Sequence, residues 1–237
     1  YMPESSCGEI IDYSYYSVSF CEDYKISEWS IHLLTKERLL ADRVPRTNNF
    51  RQDPNLNGRD ASIVNYKYSG YDRGHLVPAG DMAFSQVAIR ESFFMTNIVP
   101  QNPWYNRGAL KALESKFREW TLTFDSIIVI TGCINNIGAE IHSPMISHSA
   151  YTGADSVFVP YFQYKVFIDI QNKRSIAFLL PNEKSIKKPL EEILHKNTIS
   201  IDYLESITGL DFFYKLPDNI EMLFEMDTGN NEIKGKK

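Results

Sequence analysis

Tyr71-Asp72-Arg73-Gly74-His75-Leu76 is followed, 31 residues beyond its histidine, by Asn106 at the head of an amphipathic run. This pairing constrains the fold, because any shared chemistry requires a distant helix start to pack beside the histidine segment. Arg73 and His75 set a phosphate-binding cation next to a titratable base. A neutral oxygen donor from the helix could then hold a hard metal ion. Each piece alone is ordinary. An isolated Asp-Arg-Gly-His is usually a turn, and a lone Asn near a helix start is usually a cap.

The pattern along the chain indicates intermixed strands and helices. Tyr15–Phe20 and Ser27–Leu34 alternate and carry aromatic and β-branched residues, so both read as strands. Ile127–Gly132, Tyr161–Ile170 and Ser175–Leu180 read as buried strands, and Phe93–Asn97 as a further short one, followed by a turn at Pro100–Pro103. Thr35–Leu39 is turning or helical, and Arg43–Asp60 reads as an irregular loop. Ser85–Ser92, Lys188–Leu194 and Ser200–Thr208 suit short helices, the last stopped by Gly209. From Tyr105 to Trp120, Leu110, Leu113, Phe117 and Trp120 recur at helical spacing. Without regular βαβ alternation the class is α+β, with a central, mostly antiparallel sheet flanked by helices. No linker or repeat divides the chain, so residues 1–237 form a single domain, with 1–12 and 227–237 loosely ordered.

The 237 residues carry a net charge of −5, which sits awkwardly with nucleic-acid binding. A local basic cleft on an acidic body still focuses the field, so the charge counts against tight binding and little against turnover. No apolar run reaches the roughly 18 residues needed to span a bilayer, and no signal peptide is visible. Of three cysteines, Cys7 and Cys21 could pair, while Cys133 reads as a buried thiol. No C-x-x-C spacing is present. His32, His142, His148 and His195 show no metal-ligand spacing and read as structural or surface residues.

Phosphodiester hydrolysis near neutral pH needs an activated water, charge stabilisation on the transferring phosphate and help for the leaving oxygen. His75 suits the first task and Arg73 the second; a divalent ion suits the third. Asn106 could hold that ion through its amide oxygen. At 3.6 residues per turn, positions 106, 110 and 114 drift by only about 40° per step, so Glu114 lies on the same side as Asn106. From there it could orient the metal's waters. Asn97 and Gln101 are further polar groups on the approach to the helix, able to orient His75 or those waters. Asp72 reads as a structural partner for an amide or an arginine.

At these residues the chain resembles the DNA/RNA non-specific endonuclease family of ββα-metal nucleases. Tyr71 to Met82 looks like the family's active-site signature, Phe94 to Gln101 its next block, and Asn106-Arg107-Gly108 through Leu113-Glu114 its metal-binding helix. Glu28-Trp29 to Leu34-Thr35 and Ile207 to Phe213 extend the likeness over roughly residues 15–225.

That resemblance implies His75 as general base, Asn106 as direct Mg²⁺ ligand (Mn²⁺ or another divalent ion substituting) and Arg73 on the phosphate. It gives Glu114 the metal-bound water and Asn97 and Gln101 supporting parts in catalysis. Arg107 adjoins the metal ligand as a phosphate contact. The family's upstream phosphate-binding arginine corresponds to Arg51 or Arg46. DNA and RNA are the implied substrates, cut through backbone contacts to 5′-phosphate ends, and bacterial relatives imply export. Where family members often carry Trp four residues after the metal-binding Asn, this chain has Leu110. Rival readings are a nuclease fold that binds without turnover and a phosphodiesterase acting on small esters.

Overall fold

The computed structural model describes residues 1–134, 150–153, 156–184 and 189–225. In chain order the strands are β1 (Glu9–Asp12), β2 (Tyr16–Cys21), β3 (Ile26–Thr35), β4 (Asp72–His75), β5 (Ile98–Gln101) and β6 (Ser126–Cys133). Then come β7 (Ala150–Thr152), β8 (Val157–Val159), β9 (Phe162–Asp169), β10 (Arg174–Pro181) and β11 (Thr198–Ile199). The helices are α1 (Lys36–Leu40), α2 (Gln86–Glu91), α3 (Pro103–Tyr105), α4 (Lys111–Phe124), α5 (Leu190–Lys196), α6 (Ile201–Thr208) and α7 (Asp218–Glu225). A π-turn, Asn106–Leu110, joins α3 to α4.

One antiparallel sheet, in the order β1-β2-β3-β6-β9-β10-β11, organises the fold. Its central strands are buried on both faces, and their alternation sorts side chains between two cores. On one face Val129, Phe167 and Phe178 meet Leu113, Phe117 and Trp120 of α4. On the other, Ile130, Val166 and Ile168 meet Leu204 and Ile207 of α6 and Phe224 of α7. The expected α+β class with an antiparallel sheet is therefore the observed one.

Beyond the end of the α4 face, β4 and β5 form a separate two-stranded ribbon in the register Asp72↔Gln101, Arg73↔Pro100, Gly74↔Val99 and His75↔Ile98. Two expectations change here. The strand read at Phe93–Asn97 begins instead at Ile98, after a 3₁₀ turn over Met95–Asn97. Pro100, expected in a turn, lies within β5; a two-stranded ribbon has only edge strands, where a missing N–H is tolerated. Gly74 is required in this ribbon, since a Cβ there would lie 2.0 Å from the Gln101 side chain.

Within residues 1–12, expected to be loosely ordered, Glu9–Asp12 pairs with β2. Two long-range ties hold the lead-in. Cys7 and Cys21 form a disulfide with Cα atoms 5.5 Å apart. The buried Glu28 carboxylate accepts from Ser5 Oγ at 3.0 Å, Cys7 N at 3.2 Å and Ser19 Oγ at 2.7 Å. Helix α7 had no signal recognised in the sequence. His142, His148 and the 227–237 tail lie outside the described residues, as does Lys188 at the start of the expected 188–194 helix.

Phe117 tests the α4 core. It is 2% exposed and meets Trp120 and Phe167 with ring centroids 5.7 and 5.6 Å away. Phe117→Ala should lower unfolding stability by about 3–5 kcal/mol in urea denaturation. A loss under about 1 kcal/mol would show that α4 does not pack as described.

Candidate active site

The histidine strand and the head of the long helix converge through one carboxylate. Asp72 opens β4, and its side chain reaches the π-turn. Asn106 Nδ2 donates to Asp72 Oδ2 at 2.9 Å, while Arg107 donates from Nε to Oδ2 at 2.8 Å and from Nη2 to Oδ1 at 2.5 Å. The helix start is fixed locally as well. Asn102 caps it by accepting from Trp104 N, and Pro103 supplies the first position. Asn182 links this cap to β5, accepting from Asn102 N at 2.7 Å and donating to Pro100 O at 3.0 Å.

The Asp72 bridge assigns the two ends of the Asn106 amide. Its nitrogen is committed to the carboxylate, so its oxygen is the end able to ligate a cation. That is the donor chemistry Mg²⁺ or Mn²⁺ accepts. Retention of an intervening π-turn is also common at functional sites, because it displaces helix side chains from regular spacing.

His75 occupies the same cleft, 9% exposed, with its ring edge-on to Phe93 at 4.9 Å and tilted against Phe50 at 5.4 Å. Its Nε2 is buried and has no hydrogen-bond partner. Burial, with Arg46 and Arg73 adding to it, depresses the His75 pKa to about 3, so the imidazole is neutral near pH 7. A neutral ring with an unpartnered nitrogen is equipped to take a proton.

The cleft has a volume of about 1010 Å³ and is lined by six basic side chains (Arg46, Lys67, Arg73, Arg107, Lys111 and Arg118) against two acidic ones (Asp72 and Glu114). A local excess of cations therefore exists on a chain whose net charge is −5. Arg73 lies 4.2 Å above the Phe50 ring centroid and Arg46 5.4 Å from that of Phe93, so aromatic faces brace both guanidinium groups.

Several expected site residues stand elsewhere. Arg51 does not line the cleft; it stacks at 4.3 Å on Phe94 and donates to Asn49 O at 3.1 Å. Of the two upstream arginines, Arg46 is the one in the cleft. Asn97 and Gln101 do not line it either. Asn97 is fully buried, accepting from Val77 N at 2.9 Å and donating to Val77 O and Ser92 O, so its amide closes the loop behind His75. Gln101 packs against Gly74 and donates to Gln163 Oε1 at 2.8 Å. Both shape the ribbon from behind the cleft. Arg107 does line the cleft, although its guanidinium is engaged by Asp72.

Glu114 lines the cleft between two cations, with Arg118 Nη2 at 3.8 Å from Oε2 and Lys165 Nζ at 4.0 Å from Oε1. Arg118 also donates from Nε to Asp81 Oδ1 at 2.6 Å, and Asp81 Oδ2 meets His32 Nε2 at 3.1 Å. Burial opposes ionisation of Asp81, but Arg118 and His32 outweigh it and hold its pKa below the usual range. Sequence reading passed over Arg118 and Lys165. Arg118 was findable as the i+4 partner of Glu114, and Lys165 as a charge between Tyr164 and Val166 of a buried strand. Among the described residues the cluster of three acids closest to a metal-ligand arrangement, Asp202, Glu205 and Glu225, does not line this cleft.

Known proteins resemble this chain in sequence and in fold. Residues 1–219 match the DNA/RNA non-specific endonuclease family. Human mitochondrial nuclease EXOG is 29% identical over 225 residues, covering 91% of this chain and 60% of its own length. The chain thus spans about 60% of that relative. Nuclease C1 of Cunninghamella echinulata is 30% identical over 211 residues, covering 85% of this chain and 81% of its own. A crystal structure of the EndoG/EndoGI complex contains a chain that superposes with a TM-score of 0.78 at 25% identity, covering 91% of this chain and 89% of that one. The chain belongs to the DNA/RNA non-specific endonuclease family.

Proposed function

We propose that the protein is a Mg²⁺-dependent endonuclease that hydrolyses DNA and RNA with little sequence preference, leaving 5′-phosphate and 3′-hydroxyl ends. The Asp72 bridge carries this reading. It turns the Asn106 amide oxygen into the available ligand in the cleft that also holds the unpartnered His75 Nε2.

In this mechanism Nε2 of His75 removes a proton from the attacking water. Phosphorus gains the new P–O bond as the bond to O3′ breaks. Arg73 and Arg46 hold the non-bridging oxygens, where their fixed charges match the developing negative charge. Glu114 accepts hydrogen bonds from water near the leaving side. Asp72 keeps the Asn106 amide in the ligating orientation. When bound at Asn106, Mg²⁺ would supply Lewis-acid stabilisation of the 3′ leaving oxygen. The basic lining suits contact with the sugar-phosphate backbone, which carries no sequence information. Work outside the cytosol, after export from a bacterium, is part of the proposal; the Cys7–Cys21 disulfide supports it.

His75→Ala should reduce Mg²⁺-dependent plasmid nicking by at least about 100-fold with the circular dichroism spectrum unchanged. Retained nicking would remove His75 as base. Because the folded-state pKa is depressed, wild-type enzyme keeps its neutral base as pH falls below 6.5 and loses it only on approach to about 3. The acid limb of the kcat/KM profile should therefore lie below pH 6.5, and a limb at or above 6.5 would contradict the described environment.

Arg46→Ala and Arg51→Ala separate the upstream arginines. Loss of a charge-assisted phosphate contact should cost Arg46→Ala roughly 10- to 100-fold in kcat/KM, while Arg51→Ala stays within about 3-fold apart from lower stability. The reverse order would move the phosphate contact to Arg51.

A further inference from the structure

Lys165 is a charged residue in the middle of the central sheet. It lies on β9 opposite Thr131 of β6 and is 1% exposed. Strand alternation places it on the α4 face, between Gln163 and Phe167, where the core gives way to the underside of the cleft. Burying an ammonium group there is unfavourable unless its charge and its donors are matched. Its Nζ donates to Thr131 Oγ1 at 2.7 Å and stands 3.5 Å from Leu76 O, next to the catalytic histidine in sequence. Its nearest carboxylate is Glu114, with Oε1 at 4.0 Å.

The geometry around Glu114 makes this neighbour more than a neutralising charge. Each carboxylate oxygen faces a different cation, Oε1 toward Lys165 and Oε2 toward Arg118. Both separations exceed hydrogen-bond length. The two cations flank the carboxylate, one beside each oxygen, without occupying its lone pairs, which stay available to water in the cleft. Burial pushes the Glu114 carboxyl above its usual range, and Lys165 is the largest influence opposing it, ahead of Arg118; Asp81 adds to the upward push, and Arg46 opposes it. In the other direction, burial pushes Lys165 down and Glu114 is the main opposing charge, with Asp81 next. Lys165 does not line the cleft, so it has no contact with substrate to offer.

We infer that Lys165 is a positioning residue for catalysis, holding the Glu114 carboxylate in place from beneath while anchored on Thr131 and Leu76. This inference rests on the nuclease reading of the cleft. It makes the interior of the sheet, where β9 meets the ribbon, part of the reaction's positioning apparatus. It also gives a reason for a lysine in a buried strand.

A double-mutant cycle between Lys165→Met and Glu114→Gln tests it. In purified protein with wild-type secondary structure, Lys165→Met should lower kcat about 100-fold on plasmid DNA with KM within about 3-fold, as misplacement of a catalytic group does. In the Glu114→Gln background the same change should cost less than about 3-fold further, because the group it positions is already gone. A kcat near wild type in Lys165→Met overturns the inference, and so do losses that multiply in the double variant. Should Lys165→Met fail to fold, Thr131→Val removes the hydroxyl that accepts from Nζ. It should lower kcat measurably in the wild-type background and leave Glu114→Gln unaffected; no loss, or an equal loss in both, overturns the inference.

Urea midpoints of the same four proteins give a readout that needs no turnover. Each single change should lower the midpoint, and the double variant should recover part of the loss, since neither partner then stands uncompensated. Additive midpoints would refute the pairing. Wild-type protein without plasmid cleavage, combined with non-additive midpoints, would instead refute the nuclease reading and keep the Lys165–Glu114 coupling.

Discussion

The bridge from Asp72 to Asn106 and Arg107 is the contact on which the rest of the site depends. A two-stranded ribbon is a marginal structure by itself, and a helix head presents no fixed side-chain geometry. Joined by three charge-assisted hydrogen bonds, they become one unit with a defined cleft between them. The bridge chooses which end of the Asn106 amide is available. It also restrains Arg107, whose side chain is 71% exposed and would otherwise sample many rotamers. Behind the ribbon, Asn97 closes the loop after His75 and Gln101 fills the space that Gly74 leaves open.

The charge distribution follows a similar economy. An acidic body keeps long-range attraction to polyanions modest, while the cleft gathers six cations around two carboxylates. On the proposed function, such a surface would hold a phosphodiester at the cleft and release products from the rest of the molecule. Burial is the main cause of the depressed His75 pKa, and Arg46 and Arg73 of this arrangement add to it by disfavouring imidazolium.

What the chain revealed before folding depended on the range of the interactions concerned. Strands β2, β3, β6, β9 and β10 were legible because burial on one or both faces writes a local pattern of β-branched and aromatic residues. Helix α4 was legible from Leu113, Phe117 and Trp120; Glu114 lines the cleft with Asn106, although the π-turn over Asn106–Leu110 replaces the regular helix that the spacing assumed. The β4–β5 ribbon was not. Asp72–His75 has no alternation long enough to mark a strand, and Pro100 argued for a turn until its edge position was known. Asn97, Gln101 and Arg51 are polar residues in the right neighbourhood whose partners are distant in sequence, so their commitment to Val77, Gln163 and Phe94 was invisible. Lys165 did leave a signal, a charge between Tyr164 and Val166 of a buried strand, but its meaning required knowing that Glu114 lies beside it.

The central claim is that the Asp72-held Asn106 oxygen is where the metal binds. Anomalous diffraction from a crystal soaked with Mn²⁺ measures this directly. The account predicts a peak in the cleft within about 2.3 Å of Asn106 Oδ1, with water completing the coordination shell. A peak confined to Asp202, Glu205 and Glu225, or one in the cleft that does not touch Asn106, would contradict it.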